Sequence, residues 1–101
     1  MITPVLTRDL EFVRKTVLEH LRGYHARVYL FGSQATGKAY RFSDIDVAIL
    51  PIQPLPASLF FNIRDVLEES DVIRSVDIVN LEEVDEAFRQ RVLKEGILWS
   101  E

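Results

Sequence analysis

Asp44 and Asp46 stand one residue apart at the start of an apolar run, Ile45-Asp46-Val47-Ala48-Ile49-Leu50. On a strand, residues i and i+2 share a face about 7 Å apart, so both carboxylates aim together while Ile45, Val47 and Ile49 aim the other way. Two ionised carboxylates held side by side repel, and a fold that fixes them together usually supplies a cation. Magnesium suits the position, because it takes oxygen ligands, keeps several waters and is commonly held by one or two carboxylates plus substrate phosphates. Ten residues separate Asp44 from a second feature upstream, Gly32-Ser33, which closes the apolar run Val28-Tyr29-Leu30-Phe31. Glycine lets the backbone turn sharply and approach an anion closely, and N–H groups opening a following helix cradle phosphate. The Ser33 hydroxyl adds a donor. By itself an Asp-x-Asp at a strand edge is more often a solvated face than a metal site.

The elements that must position these residues follow from the apolar spacing. Thr3-Pro4 suits a helix start, and Leu6, Leu10, Val13, Val17 and Leu21 form one stripe ended by Gly23. Arg27 to Phe31 reads as a strand with both faces apolar, which suits a sheet covered on each side. Gln34 to Ala39 is expected as a short helical turn. Lys38 and Arg41 are the only cations between the turn and the aspartates; reach to a triphosphate and a solvated loop charge are equal readings of each. The proline-rich Pro51 to Pro56 reads as an extended connection, and Ser58 to Glu69 as an amphipathic helix with Leu59, Ile63, Val66 and Leu67 inward. Phe60 and Phe61 cannot both join that stripe. Ser75 to Val79 reads as a third strand interrupted by Asp77, an acid that asks for a cation or hydrogen bonds if buried; spacing alone leaves its role open. Asn80 with Glu83 resembles a capping box for a last helix ending at Gly96, and Ile97-Leu98-Trp99 is left as an apolar tail that either tucks under the sheet or meets a partner. The order helix, strand, short helix, strand, helix, strand, helix predicts an α/β domain (α+β in some schemes) with a small three-stranded sheet backed by helices.

A chain of 101 residues is expected to be one domain, residues 1–101, with one core and no room for a second substrate-binding lobe. Sixteen acidic against 12 basic residues give a net charge of −4, which argues against a surface that grips nucleic acid through its phosphates. Without cysteine, disulfides and thiolate metal sites are excluded. No apolar run approaches a membrane span and no signal-peptide pattern opens the chain, so a cytoplasmic protein is expected.

Gly32-Ser33, ten residues, then Asp44-x-Asp46 with apolar strands on both sides resembles the signature of the DNA polymerase beta-like nucleotidyltransferase superfamily, and most closely its minimal nucleotidyltransferase group. The resemblance implies the nucleotidyltransferase fold with a mixed sheet. It implies that a nucleoside monophosphate, AMP from ATP, passes to a hydroxyl acceptor with release of pyrophosphate. It implies two magnesium ions held by Asp44, Asp46 and Asp77, the last as third carboxylate on a neighbouring strand and proton acceptor. Gly32 and Ser33, with Lys38 or Arg41, would hold the nucleotide. Minimal nucleotidyltransferases are typically paired with a HEPN-domain toxin, so the resemblance implies an antitoxin that modifies a toxin tyrosine, in a homo- or hetero-oligomer. Many relatives carry arginines after Gly-Ser, where this chain has Gln34 and Thr36. Two other functions compete: a binding module that neutralises its partner without catalysis, and a transferase acting on a small molecule such as an aminoglycoside.

Overall fold

The computed structural model describes residues 4–37 and 44–100. Thr3, Lys38, Arg41 and Ser43 lie outside the described residues. Among the described residues, four strands form one sheet in the order β3-β2-β1-β4: β1 Ala26–Phe31, β2 Ile45–Pro51, β3 Val76–Asn80 and β4 Ile97–Ser100. The helices are α1 Pro4–His20, α2 Ser33–Thr36, α3 Ala57–Glu68 and α4 Glu86–Glu95. β2 runs antiparallel to β1 and parallel to β3, and β4 runs antiparallel to β1, so the sheet is mixed, as expected.

Strand alternation divides the apolar residues between two layers. Val28, Leu30, Ile45, Val47, Ile49 and Ile78 pack with Val13 and Val17 of α1 and Ile63 and Leu67 of α3. Tyr29 and Ala48, on the other face, pack with Leu81 and with Val92 of α4. Both faces of the sheet are therefore covered, which is why β1 and β2 read as nearly unbroken apolar runs. Phe60 is buried in the first layer, whereas Phe61 is 67% exposed.

The expected three-stranded sheet is corrected to four. Gly96 makes the fourth strand possible: a Cβ there would meet the carbonyl oxygen of Val92 at 2.6 Å and that of Leu30 at 3.2 Å, so only glycine lets the chain pass this close as it leaves α4. The tail then pairs with the edge of β1, and Trp99 packs half-buried against the α1–α3 layer while Ile97 and Leu98 stay about half exposed. The Asn80 capping box is also corrected. Asn80 Oδ1 accepts from the Glu82 N–H in a turn, and α4 begins later, capped by Asp85 Oδ1 accepting from the Phe88 N–H at 2.8 Å.

Asp9 of α1 is 2% exposed and accepts from Arg74 Nη1 at 3.3 Å. Nothing in the local sequence pattern marks this pair, because its members are 65 residues apart. It fastens the loop that enters β3 to the first helix.

Candidate active site

Cross-strand register assembles the site at the end of the sheet where β1 finishes and β2 and β3 begin. Phe31 is the register partner of Asp46, and Asp46 is the register partner of Asp77. Residues paired in this way point to the same face, so Phe31, Asp46 and Asp77 form a row across three strands. That face is the α4 side of the sheet, where Phe31 meets Phe88 edge to face with ring centroids 5.7 Å apart. Asp44 precedes β2 and is exposed. The structure thus brings Asp77, the acid whose role spacing had left open, beside Asp46, with Asp44 near enough for its charge to act on Asp46.

Asp46 is the electrostatic centre of the group. Burial, then the charge of Asp77, then that of Asp44, push its carboxyl from 3.8 up to about 6, and a hydrogen bond with Asp77 adds to the rise. Ionised carboxylates crowded together on one face require protons or a cation.

Gly32 closes the site from the β1 side. Its φ of 74° and ψ of −153° belong to a region open essentially only to glycine, and a Cβ built on it would collide with Asp46 Oδ2. The backbone is therefore pressed against the carboxylate, and Ser33 follows at the first position of α2. Gln34 Nε2 reaches the Asp44 carbonyl oxygen at 3.5 Å, and Thr36 Oγ1 donates to the Gly32 carbonyl at 3.3 Å. Gln34 and Thr36 thus brace the turn and tie it to the start of β2. Sequence spacing gave no indication of this, nor of Phe31 as the neighbour of Asp46.

Among the described residues, no three acidic, imidazole or thiol side chains converge into a ready metal cage. Asp46 and Asp77, with Asp44 beside them, nonetheless offer hard oxygen donors of the kind magnesium accepts, with water and substrate phosphate filling the rest of its shell. The raised Asp46 carboxyl fits the same reading, since a nearby cation would relieve the repulsion that raises it.

A two-sided carboxylate site at the mouth of a mixed sheet, with glycine backbone on one flank, is the architecture of a nucleotidyltransferase. The sequence profile of the family described as Polymerase beta, Nucleotidyltransferase matches residues 16–101, and the chain belongs to this family. It is similar to the Haemophilus influenzae protein named Probable protein adenylyltransferase MntA, with 34% identity over 80 residues, covering 79% of this chain and 69% of that one. A structure described as a minimal nucleotidyltransferase superposes with a TM-score of 0.69 at 28% identity, covering 89% of this chain and 92% of the other. A toxin–antitoxin crystal structure with AMP-PNP superposes with a TM-score of 0.65 at 28% identity, covering 85% of this chain and 71% of the other. The fold is the nucleotidyltransferase fold, and the protein is a nucleotidyltransferase.

Proposed function

We propose that this chain is the antitoxin of a toxin–antitoxin pair and moves AMP from ATP to a hydroxyl group of its partner, a tyrosine of a HEPN-domain protein. The observation that carries the reading is the row Phe31–Asp46–Asp77 closed by the Gly32 backbone. It offers a phosphate approach on one side of Asp46 and a carboxylate on the other. The similarity to a protein adenylyltransferase and to a toxin–antitoxin structure with AMP-PNP supports the choice of nucleotide and acceptor class.

In this reading the Gly32 backbone and the Ser33 hydroxyl hold the triphosphate, with Lys38 or Arg41 adding a cation. Asp44, Asp46 and Asp77 are the residues that would hold magnesium, in two ions. Magnesium there supplies the positive charge that offsets the phosphate oxygens and the carboxylates, and it favours loss of the acceptor proton. The acceptor oxygen attacks the α-phosphorus and forms the new P–O bond. The bond from that phosphorus to the bridging oxygen breaks, pyrophosphate leaves with the electron pair, and the hydroxyl proton passes to Asp77. Positioning and charge neutralisation account for the acceleration. No described helix is long and apolar enough to cross a membrane, and we place the protein in the cytoplasm, where ATP and its partner meet.

The test is incubation with α-labelled ATP, magnesium and the purified HEPN partner, followed by mass spectrometry of the modified residue. Covalent AMP on a partner tyrosine is the expected result. A partner neutralised only while bound, with no covalent label, would overturn transfer in favour of a binding module.

A further inference from the structure

β3 is an edge strand, and its outer side opens into a groove of about 470 Å³ whose walls include Arg64, Ile73, Ser75, Val76 and Asp77. This volume is within the range of ligand-binding clefts. The parallel ladder determines which backbone groups face the groove. At its two ends the Ile45 N–H donates to the Ser75 carbonyl and the Leu81 N–H to the Ile49 carbonyl, both at 2.9 Å. Backbone groups alternate along a strand, so those of Asp77 and Val79 turn toward β2 while those of Val76 and Ile78 turn outward. An independent contact agrees: Arg64 Nη2, a donor from outside the ladder, reaches the Ile78 carbonyl at 2.7 Å.

From this geometry we infer that the groove is the acceptor site, and that the acceptor enters as an extended polypeptide segment which adds a strand to β3 through the N–H and carbonyl of Val76 and the N–H of Ile78, the Ile78 carbonyl being held by Arg64. The inference rests on the transfer reading above. An added strand extends the row Phe31–Asp46–Asp77 by one position. The residue placed opposite Asp77 then projects onto the same face as the carboxylates, one strand spacing of about 4.8 Å away. A hydroxyl-bearing side chain at that position meets Asp77 from the side opposite Gly32, so phosphate and acceptor approach Asp46 from different flanks. In the transfer the acceptor oxygen bonds to the α-phosphorus, pyrophosphate departs and the proton goes to Asp77. Main-chain pairing gives the segment affinity, and its alternate side chains give specificity, as in other strand-addition complexes.

Amide hydrogen exchange followed by NMR tests this on the full chain, free and then mixed with the HEPN partner and AMP-PNP. In the free chain, the Val76 and Ile78 amides are expected to exchange at least tenfold faster than those of Asp77 and Val79. In the mixture they should slow at least tenfold. Val76→Pro removes an outward N–H on an edge strand, where proline is tolerated. It should raise the acceptor KM at least tenfold and leave AMP-PNP affinity unchanged. A wild-type chain that labels its partner normally while Val76 and Ile78 stay fast would overturn the groove and leave the transfer reading standing. So would slowing that appears with increasing concentration of the free chain, since the edge would then be pairing two copies. A wild-type chain that labels no partner residue would overturn both.

Discussion

The backbone of Gly32 lies so close to the carboxylate of Asp46 that no β-carbon fits between them. The turn after β1 and the acid on β2 are 14 positions apart in sequence, and antiparallel pairing of Phe31 with Asp46 brings them into contact. Gly32→Ala therefore carries two penalties: a backbone region that disfavours any side chain, about 1 to 3 kcal/mol, and displacement of the carboxylate. Calorimetric titration with AMP-PNP should show affinity reduced at least tenfold, and the thermal midpoint should fall. Ser33→Ala should weaken binding by about 1 to 3 kcal/mol through loss of a hydrogen bond to a charged group, with stability little changed.

Asp46→Asn should abolish transfer and raise the thermal midpoint of the metal-free protein at pH 8. In the folded chain burial, Asp77 and Asp44 hold this carboxyl near 6, against 3.8 ordinarily. Between those values the folded state keeps a proton that the unfolded chain has lost. The associated stabilisation is complete below about 4 and is lost as pH rises through about 6. Above that, the ionised group sits among like charges at a cost to the fold. The advantage of the asparagine variant over wild type should thus be largest at pH 8 and shrink toward pH 5, which differential scanning calorimetry at both values measures.

Arg74→Met should destabilise the chain by about 3 kcal/mol or more, because it strips the guanidinium from an Asp9 carboxylate that is 2% exposed. The loop into β3 should loosen with it. Urea unfolding gives the stability change, and a parallel drop in kcat for wild-type-like AMP-PNP affinity would show that the pair holds Asp77 in place.

Trp99→Ala and Phe61→Ala separate core from surface. Trp99 packs half-buried on the α1–α3 layer, and its removal should cost about 2 kcal/mol, below the range for a fully buried aromatic. Phe61 is 67% exposed, and its removal should change stability by less than about 0.5 kcal/mol. Chemical denaturation of both variants checks the order.

Residue types and local periodicity determined much of this protein. The unbroken apolar runs around Leu30 and Val47 announced two strands, the stripe Val13, Val17, Leu21 announced the first helix, and Gly32-Ser33 with Asp44-x-Asp46 marked the candidate site. These features lie within a few residues of their cause, so hydrophobic spacing and backbone preference suffice to read them. What the sequence left open depends on contacts between distant segments. Asp77 joins Asp46 only because β3 pairs in parallel with β2 in a particular register. Ile97 to Trp99 became a strand only because the edge of β1 and the narrow passage at Gly96 received it. Asp85 rather than Asn80 caps α4, because Asn80 remains on β3 and Leu81 is buried in the α4 layer, so the chain must turn before the helix begins. Asp9 and Arg74 met only when α1 packed beside the loop into β3. In each case the deciding energy comes from pairing and burial that no window of neighbouring residues contains, and only the tertiary structure could supply it.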